Sequence, residues 1–125
     1  MDKDSFYRYK TEWDERQRKL DMDVQLELTE ILNTYGYPGK SLVGENYMNY
    51  ACLMIEHGGE LEYQEKYLPM VAEALKNGEL EKNYVRMLID RIHWKKTNKQ
   101  IFGSQNGVPF DTDEVIREFK AKYNL

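Results

Sequence analysis

The chain has 125 residues, of which 41% are hydrophobic and 32% are charged, and its formal net charge is −4. This balance is typical of a folded protein and excludes an intrinsically disordered chain. The acidic charge argues against a specific nucleic-acid binder, which needs a dense basic surface to displace the counterions of phosphates. The sequence therefore predicts a single domain over residues 1–125. A protein partner is compatible with this composition, and the oligomeric state is left open.

Cys52 is the single cysteine, so the chain can form no internal disulfide bond, which fits a reducing compartment. Its neighbours are apolar, and we interpret it as a small buried hydrophobic residue rather than a catalytic thiol. The N-terminal residues contain no apolar stretch of the kind found in a secretory signal. No segment approaches the ~20 apolar residues that a membrane span needs. We predict a cytoplasmic protein without a membrane partner.

Apolar residues recur every three or four positions from residue 6 to residue 35, which predicts an amphipathic helix. The pattern fits one long helix or two shorter ones, and Asp21 and Asp23 are the favoured break because aspartate caps helix starts. Gly36 is predicted to end this segment because a positive φ is often needed just past a helix. The stripe consists of Phe6, Tyr9, Trp13, Leu20, Val24, Leu28, Ile31 and Tyr35, with Gln17 in its gap.

The same periodicity predicts four further helices. Pro69 should kink the second of these or start a new turn, because it cannot donate a backbone hydrogen bond. Asp111 and Glu114 match a capping box at the start of the last helix. The four predicted helices cover about residues 45–57, 60–77, 80–94 and 112–123.

The pattern changes after residue 99, where Asn106-Gly107 stands between two short apolar runs. Asn-Gly in this setting favours a two-residue β-hairpin turn. Pro109 would restrict the second arm to an edge position, because it lacks a backbone N–H. The predicted fold is therefore mainly α, a bundle of about five helices with a small β-hairpin near residues 100–110.

Two positions on the predicted helices are candidates for polar chemistry. His57 precedes Gly58-Gly59 at a helix end, where its imidazole could cap the helix or act as a general base. Arg91 follows Asp90 among apolar residues, and a buried guanidinium needs a carboxylate or carbonyl partner. Arg91 either holds the predicted hairpin to the helices through a salt bridge or binds an anionic group.

Other chemistry is sparse. His57 and His93 stand in no spacing typical of a zinc site, so no metal is predicted. The chain lacks glycine-rich phosphate-binding motifs, and no cofactor is predicted. Ser104 lacks the Gly-x-Ser-x-Gly turn of a nucleophilic serine. Gln100 and Gln105 lie on either side of it and could contact a ligand or satisfy buried backbone groups.

Five short motifs occur in a fixed order along the chain, and together they resemble a widespread, uncharacterised bacterial family of small proteins. The pattern of that family runs Gly-Trp-Pro, Val-Gly, Gln-His, Asp-Arg and Gln-x-Tyr-Gly-Thr-Gln. The likeness covers roughly residues 12–110, which is most of the chain. The matching segments are Tyr35–Gly44, Glu56-His57, Gln64–Pro69, Asp90-Arg91 and Gln100–Gln105.

Four residues depart from the family's pattern: Tyr37 stands for Trp, Glu56 for Gln, Phe102 for Tyr and Ser104 for Thr. Phe102 lacks the hydroxyl that a catalytic tyrosine would need. The resemblance implies no particular reaction. It does imply one polar constellation, either a ligand-binding site or an internal brace, that consists of His57, Asp90, Arg91, Gln100 and Gln105.

Two functions from different classes fit these observations. The small size, the acidity, the ten tyrosines and the lack of a complete catalytic set favour a non-enzymatic protein-binding module of inhibitor or immunity type. This function predicts an exposed Tyr-rich or acidic patch away from the polar constellation. The alternative is a small enzyme or an anionic-ligand-binding protein, whose side chains should converge on an open cleft. That pocket would be formed by His57, Asp90, Arg91 and Gln105.

Overall fold

The computed structural model describes residues 2–125 and arranges them mainly as helices, which confirms the predicted helical bundle. The described chain has one helix more than expected, because residues 40–43 form an additional short turn of helix. α4 continues through Pro69. The helices are α1 (Lys3–Tyr35), α2 (Lys40–Val43), α3 (Tyr50–Gly58), α4 (Leu61–Lys76), α5 (Lys82–Thr97) and α6 (Asp113–Tyr123).

α1 is one continuous helix of 33 residues, which confirms the first of the two alternatives, and the chain has no break at Asp21 and Asp23. Asp21 accepts a hydrogen bond from Gln17 Nε2 at 3.1 Å, and this contact across one turn supports the helix. The helix is capped at its start by Asp2, whose side chain accepts a backbone N–H of the first turn. It ends at Gly36 as predicted, where φ is 78°.

The core lies between α3, α4 and α5, which pack against one another. Cys52 is fully buried there, as predicted, and burial raises the pKa of its thiol to about 12. A thiol with a raised pKa stays protonated near neutral pH, which disfavours a nucleophilic role. α1 adds only Leu28 and Leu32 to this core. The other buried core residues are Ala51, Ile55, Tyr67, Val71, Ala74, Leu80, Val85, Leu88, Ile89 and Ile92.

The predicted β-hairpin near residues 100–110 is wrong, because residues 2–125 contain no strand and only an isolated parallel bridge at Gln100. The expected turn does form at Gly107, where φ is 75°. Beyond this bridge the runs on either side of the turn do not pair, because backbone N–H groups of residues 101–102 donate to the Asp90 carboxylate. The turn signal was correct, but a buried side chain takes the hydrogen bonds that a second strand would need.

The start of α6 also differs from the prediction. Its N-cap is Thr112, whose hydroxyl oxygen accepts the backbone N–H of Val115 at 3.3 Å. Asp111 was expected in this role but contacts His93 instead. The capping residue was therefore predicted one position too early.

Candidate functional site

Asp90 lies on α5 with its carboxylate fully buried. Its Oδ1 accepts the backbone N–H groups of Ile101 and Phe102, both at 2.8 Å. Its Oδ2 accepts the backbone N–H of Ser104 at 3.0 Å and the hydroxyl of the same residue at 2.7 Å. A buried carboxylate is costly unless donors satisfy its oxygens. These four donors satisfy both oxygens, so Asp90 acts as a brace for the segment that follows α5.

Gln100 is the second buried brace of this segment. Its Nε2 donates to the carbonyl oxygens of Gln105 at 2.8 Å and Val108 at 2.6 Å, and its Oε1 accepts the N–H of Gln105 at 2.8 Å. Among residues 2–125, the one hydrogen bond of the Gln105 side chain goes to its neighbour, with Nε2 donating to Ser104 Oγ at 3.3 Å. We call residues 100–111 the braced loop, since it is held by side chains without a strand or helix of its own.

A second polar cluster connects α3 to α5. Glu56 is buried on α3, and its Oε1 accepts a hydrogen bond from Arg91 Nε at 3.1 Å. Arg91 Nη2 lies 3.1 Å from the same oxygen, and the guanidinium stacks 5.5 Å from the centre of the Trp94 ring. Arg91 is thus one half of a salt bridge, as one of the two alternatives predicted. The salt bridge joins two helices rather than a hairpin to the helices.

His57 follows Glu56 on α3, and its side chain is 63% exposed. Its Nε2 lies 2.9 Å from Glu56 Oε2 without the geometry of a hydrogen bond, and within residues 2–125 that buried oxygen has no hydrogen-bond partner. The expected capping role is taken by Gln64, whose Nε2 donates to the carbonyl oxygens of Ile55 at 3.3 Å and Glu56 at 2.8 Å. His57 therefore presents an exposed imidazole beside a buried carboxylate.

A groove of about 330 Å³ between α1 and α3 passes His57. Val24, Leu28 and Met54 give it an apolar surface, and its remaining lining residues are Asp21, Gln25 and Gly58. Of the five predicted site residues, only His57 lines this groove. His57 and Arg91 meet at Glu56, whereas Asp90, Gln100 and Gln105 belong to the braced loop. The predicted constellation is thus divided into two clusters, one between α3 and α5 and one between α5 and the braced loop.

A third polar contact was missed from the sequence. His93 Nε2 lies 2.7 Å from Asp111 Oδ2, and the imidazole packs edge-on against Phe119 with the ring centres 5.0 Å apart. The hydrogen bond with His93 is the main reason why the pKa of Asp111 lies below its ordinary value, and the backbone N–H of Thr112 adds to this shift. These residues join α5, the end of the braced loop and α6.

The N-terminal part of α1 is the most exposed helical surface of the molecule. Every residue from 6 to 24 is exposed, although this stretch contains large apolar side chains such as Trp13, at 57% exposure. We call residues 3–24 the arm. Five exposed apolar residues of the predicted stripe lie along one face of the arm, and we call them the arm stripe: Phe6, Tyr9, Trp13, Leu20 and Val24.

Within residues 2–125, no group of three or more His, Cys, Asp or Glu side chains is arranged to hold a metal ion. The described helices include none with both the length and the apolar character that crossing a membrane requires.

A family model covers residues 11–121, and the family that it describes, DUF6624, has no known function. The resemblance to such a family is thereby confirmed, while the motifs assigned to it and its bacterial origin stay predictions. No curated protein and no solved structure matches the chain.

Proposed function

Since the chain belongs to DUF6624, a family of unknown function, we propose a role from its own surface: a non-enzymatic protein-binding module of inhibitor or immunity type. The arm stripe is the observation that carries this proposal. Exposed apolar surface arranged in a continuous patch is typical of an interaction site, and aromatic residues dominate the binding energy of such sites. The patch is apolar rather than Tyr-rich or acidic, and most of it lies away from the two polar clusters, with only its Val24 end lining the groove beside His57.

The polar clusters give less support to a catalytic function. Asp90 and Gln100 are buried and spend their hydrogen-bonding groups on the braced loop. Arg91 directs two of its nitrogens to Glu56, whose carboxylate offsets the guanidinium charge that an anionic ligand would need. A pocket that uses His57, Asp90, Arg91 and Gln105 together would have to break these contacts first.

Site-directed photo-crosslinking tests the protein-binding function. A photoreactive aromatic amino acid replaces Trp13 on the arm, and in a matched control it replaces Lys76, which is exposed on α4. After irradiation in the cells that naturally produce the protein, we expect a discrete covalent adduct from position 13 and none from position 76. A purified partner should bind the wild-type chain at least tenfold more tightly than Trp13→Glu, and its own activity should fall on binding.

Two outcomes would contradict this function. One is that position 13 and two further positions of the arm stripe all fail to give an adduct. The other is a partner whose affinity is the same for wild type and Trp13→Glu, because the arm would then contribute nothing to recognition.

A specific observation favours a second candidate, a small enzyme or anionic-ligand-binding protein. Glu56 Oε2 is buried without a hydrogen-bond partner among the described residues, and it lies next to the exposed imidazole of His57 at the groove. A carboxylate behind an imidazole is an arrangement that can orient the ring for proton transfer or for contact with an anion. This version of the site relies on His57 and Glu56 rather than on all four predicted residues.

Titration with inorganic phosphate, followed through the imidazole NMR signals, tests this second candidate. The His57 signals should shift in a saturable way, while those of His93, paired with Asp111 inside the fold, should stay fixed and serve as the internal control. Glu56→Gln should weaken the response of His57. Equal or unsaturable shifts of both imidazoles would reject an anion site at His57.

A further inference from the structure

We propose that the arm binds the arm of a second copy of this chain, in antiparallel orientation, so that two arm stripes face each other. This inference rests on the proposed protein-binding surface, the arm stripe, and goes beyond the inhibitor or immunity role, whose target is a different protein. The shape of the arm stripe, the order of charges along the arm and the area that pairing would cover support it.

The arm stripe is suited to contact with another helix. Its members and Gln17 follow one another at steps of three and four residues, which keeps them on one face of an α-helix. The arm spans 22 residues or about 33 Å, so a paired helix could contact this face over its full length. Gln17 is the single polar position along this face, and a polar residue in an apolar helix seam favours one register over others.

The charges of residues 3–27, which include the arm and the turn of α1 that follows it, form four blocks of alternating sign. When the segment is read backwards, each positive block takes the place of a negative block, with residue 15 near the centre. The N-terminal block has net charge +2, the next −3, the third +3 and the last −3, counting Lys and Arg as positive and Asp and Glu as negative. The blocks are residues 3–10 (Lys3, Asp4, Arg8, Lys10), 12–15 (Glu12, Asp14, Glu15), 16–19 (Arg16, Arg18, Lys19) and 20–27 (Asp21, Asp23, Glu27).

This order selects a second copy as the partner and sets its direction. An antiparallel pair centred near residue 15 brings residues 3–10 beside 20–27 and residues 12–15 beside 16–19, so the basic residues that flank the arm stripe, Lys3, Lys10 and Arg16, come beside acidic residues of the other copy. A parallel pair in register would place every block beside one of the same sign, which is destabilising. Within residues 2–125, the one ion pair inside α1 joins Lys10 to Asp14 at 4.0 Å, so the other blocks remain available for contacts between copies.

The same register matches the apolar residues. Phe6 of one copy lies near Val24 of the other, and Trp13 lies near Gln17. Val24 also lines the groove beside His57, so the end of the partner's arm would extend the apolar contact into that groove. The arm stripe is thereby continuous with a concave surface on the folded part of the molecule.

The area involved is sufficient for a reversible dimer. A large side chain that is half exposed offers about 100 Å² for burial. The arm stripe therefore gives about 500 Å² per copy and about 1,000 Å² for the pair, at the lower end of specific interfaces. We expect an equilibrium between monomer and dimer that depends on protein concentration, and not a permanent dimer.

A charge-exchange experiment tests the proposal. Variant A carries Asp21→Lys and Asp23→Lys, and variant B carries Lys3→Glu and Lys10→Glu. In an antiparallel homodimer of either variant, residues 3–10 of one copy face residues 20–27 of the other with the same sign of charge. In a mixed dimer of A with B, the facing blocks have opposite signs. The matched control carries Glu62→Lys and Glu73→Lys on exposed positions of α4, with the same change in net charge as variant A.

Sedimentation equilibrium gives the result over a hundredfold range of protein concentration. The wild type and the control should dimerise, A and B alone should dimerise at least tenfold more weakly, and an equimolar mixture should regain a dimer of A with B. The variants change exposed arm residues only, and circular dichroism checks that their helix content is retained.

Three results would overturn the proposal: a wild type that stays monomeric at every concentration, variants that dimerise as the wild type does, or a mixture that does not recover. A monomeric chain whose position 13 still crosslinks to a different protein would remove the second copy as partner but leave the protein-binding function intact. If the chain stays monomeric and position 13 gives no crosslink to any protein, both the pairing of two arms and the protein-binding function are contradicted.

Discussion

The arm and the braced loop show that regular secondary structure and fixation within the fold are separate properties. The arm is helical throughout, yet every residue from 6 to 24 is exposed. The braced loop has neither strand nor helix, yet Asp90 and Gln100 satisfy its backbone groups from inside. The loop is therefore determined by the core, whereas the arm is available for contact with another molecule. The following predictions test this difference, from the largest expected effect to the smallest.

Removing the carboxylate of Asp90 should have the largest effect. Asp90→Ala leaves three backbone N–H groups and one hydroxyl without their acceptor in a buried place, and we expect a loss of about 3–5 kcal/mol in the free energy of unfolding. Ser104→Ala removes only one of these bonds and should cost about 1 kcal/mol. Urea denaturation of both variants measures the two losses. Equal and small losses would mean that the loop is not braced by this carboxylate.

A pair of leucines on the same helix compares the two parts of α1 directly. Leu32 is 1% exposed and Leu20 is 58% exposed. Leu32→Ala should cost about 3 kcal/mol through lost burial and a cavity, whereas Leu20→Ala should change the free energy of unfolding by less than about 0.5 kcal/mol. The measurement is urea denaturation at a concentration low enough to keep the chain monomeric. A large loss for Leu20→Ala would place the arm in the folded core.

The Glu56–Arg91 pair should have an intermediate effect, because its carboxylate is buried while its guanidinium is partly exposed. Arg91→Met leaves the carboxylate without its charged partner, and we expect a loss of about 2 kcal/mol. Glu56→Gln removes the buried charge, so the double variant should recover part of that loss. A double-mutant cycle measures the coupling, and purely additive losses would show that the two side chains do not stabilise each other.

The smallest predicted effect is a dependence on pH at the end of the braced loop. The pKa of Asp111 is lower in the folded chain than its ordinary value of 3.8, so the unfolded chain binds a proton first as the pH falls. The stabilisation that Asp111 contributes is present above its ordinary pKa of 3.8. It is lost as the pH falls through the lower pKa of the folded chain. Asp111→Asn should therefore lose less stability on acidification than the wild type does. Parallel acid titrations followed by circular dichroism test this, and identical slopes would contradict it.

The sequence predicted the features that depend on local chemistry. Gly36 ends α1 because the chain needs a positive φ there, and Cys52 is buried because its neighbours on the helix are apolar. The turn at Gly107 likewise follows from the local sequence, because glycine readily adopts the positive φ that the turn needs. Each of these follows from a few adjacent residues, so periodicity and turn preferences are enough to find them.

The errors arose where a distant side chain competes with a local pattern. The hairpin fails because Asp90, eleven residues before Ile101, takes its backbone N–H. The capping role predicted for Asp111 is lost to a contact with His93, eighteen residues away. No local signal reveals such pairs, and the same is true of the contact between Glu56 and Arg91. The candidate site was therefore predicted as a set of polar residues, but its division into two clusters was not.

Amide hydrogen exchange of α1 at several protein concentrations tests the central claim most directly, because it reports on the arm and the core of one helix together. The account predicts that amides of residues 6–20 exchange rapidly in dilute solution and slowly when the protein is concentrated, while those near Leu32 stay protected throughout. Protection of the arm that is equally strong at every dilution would contradict an arm that is independent of the core. Rapid exchange of the arm at every concentration would contradict its pairing with a second copy.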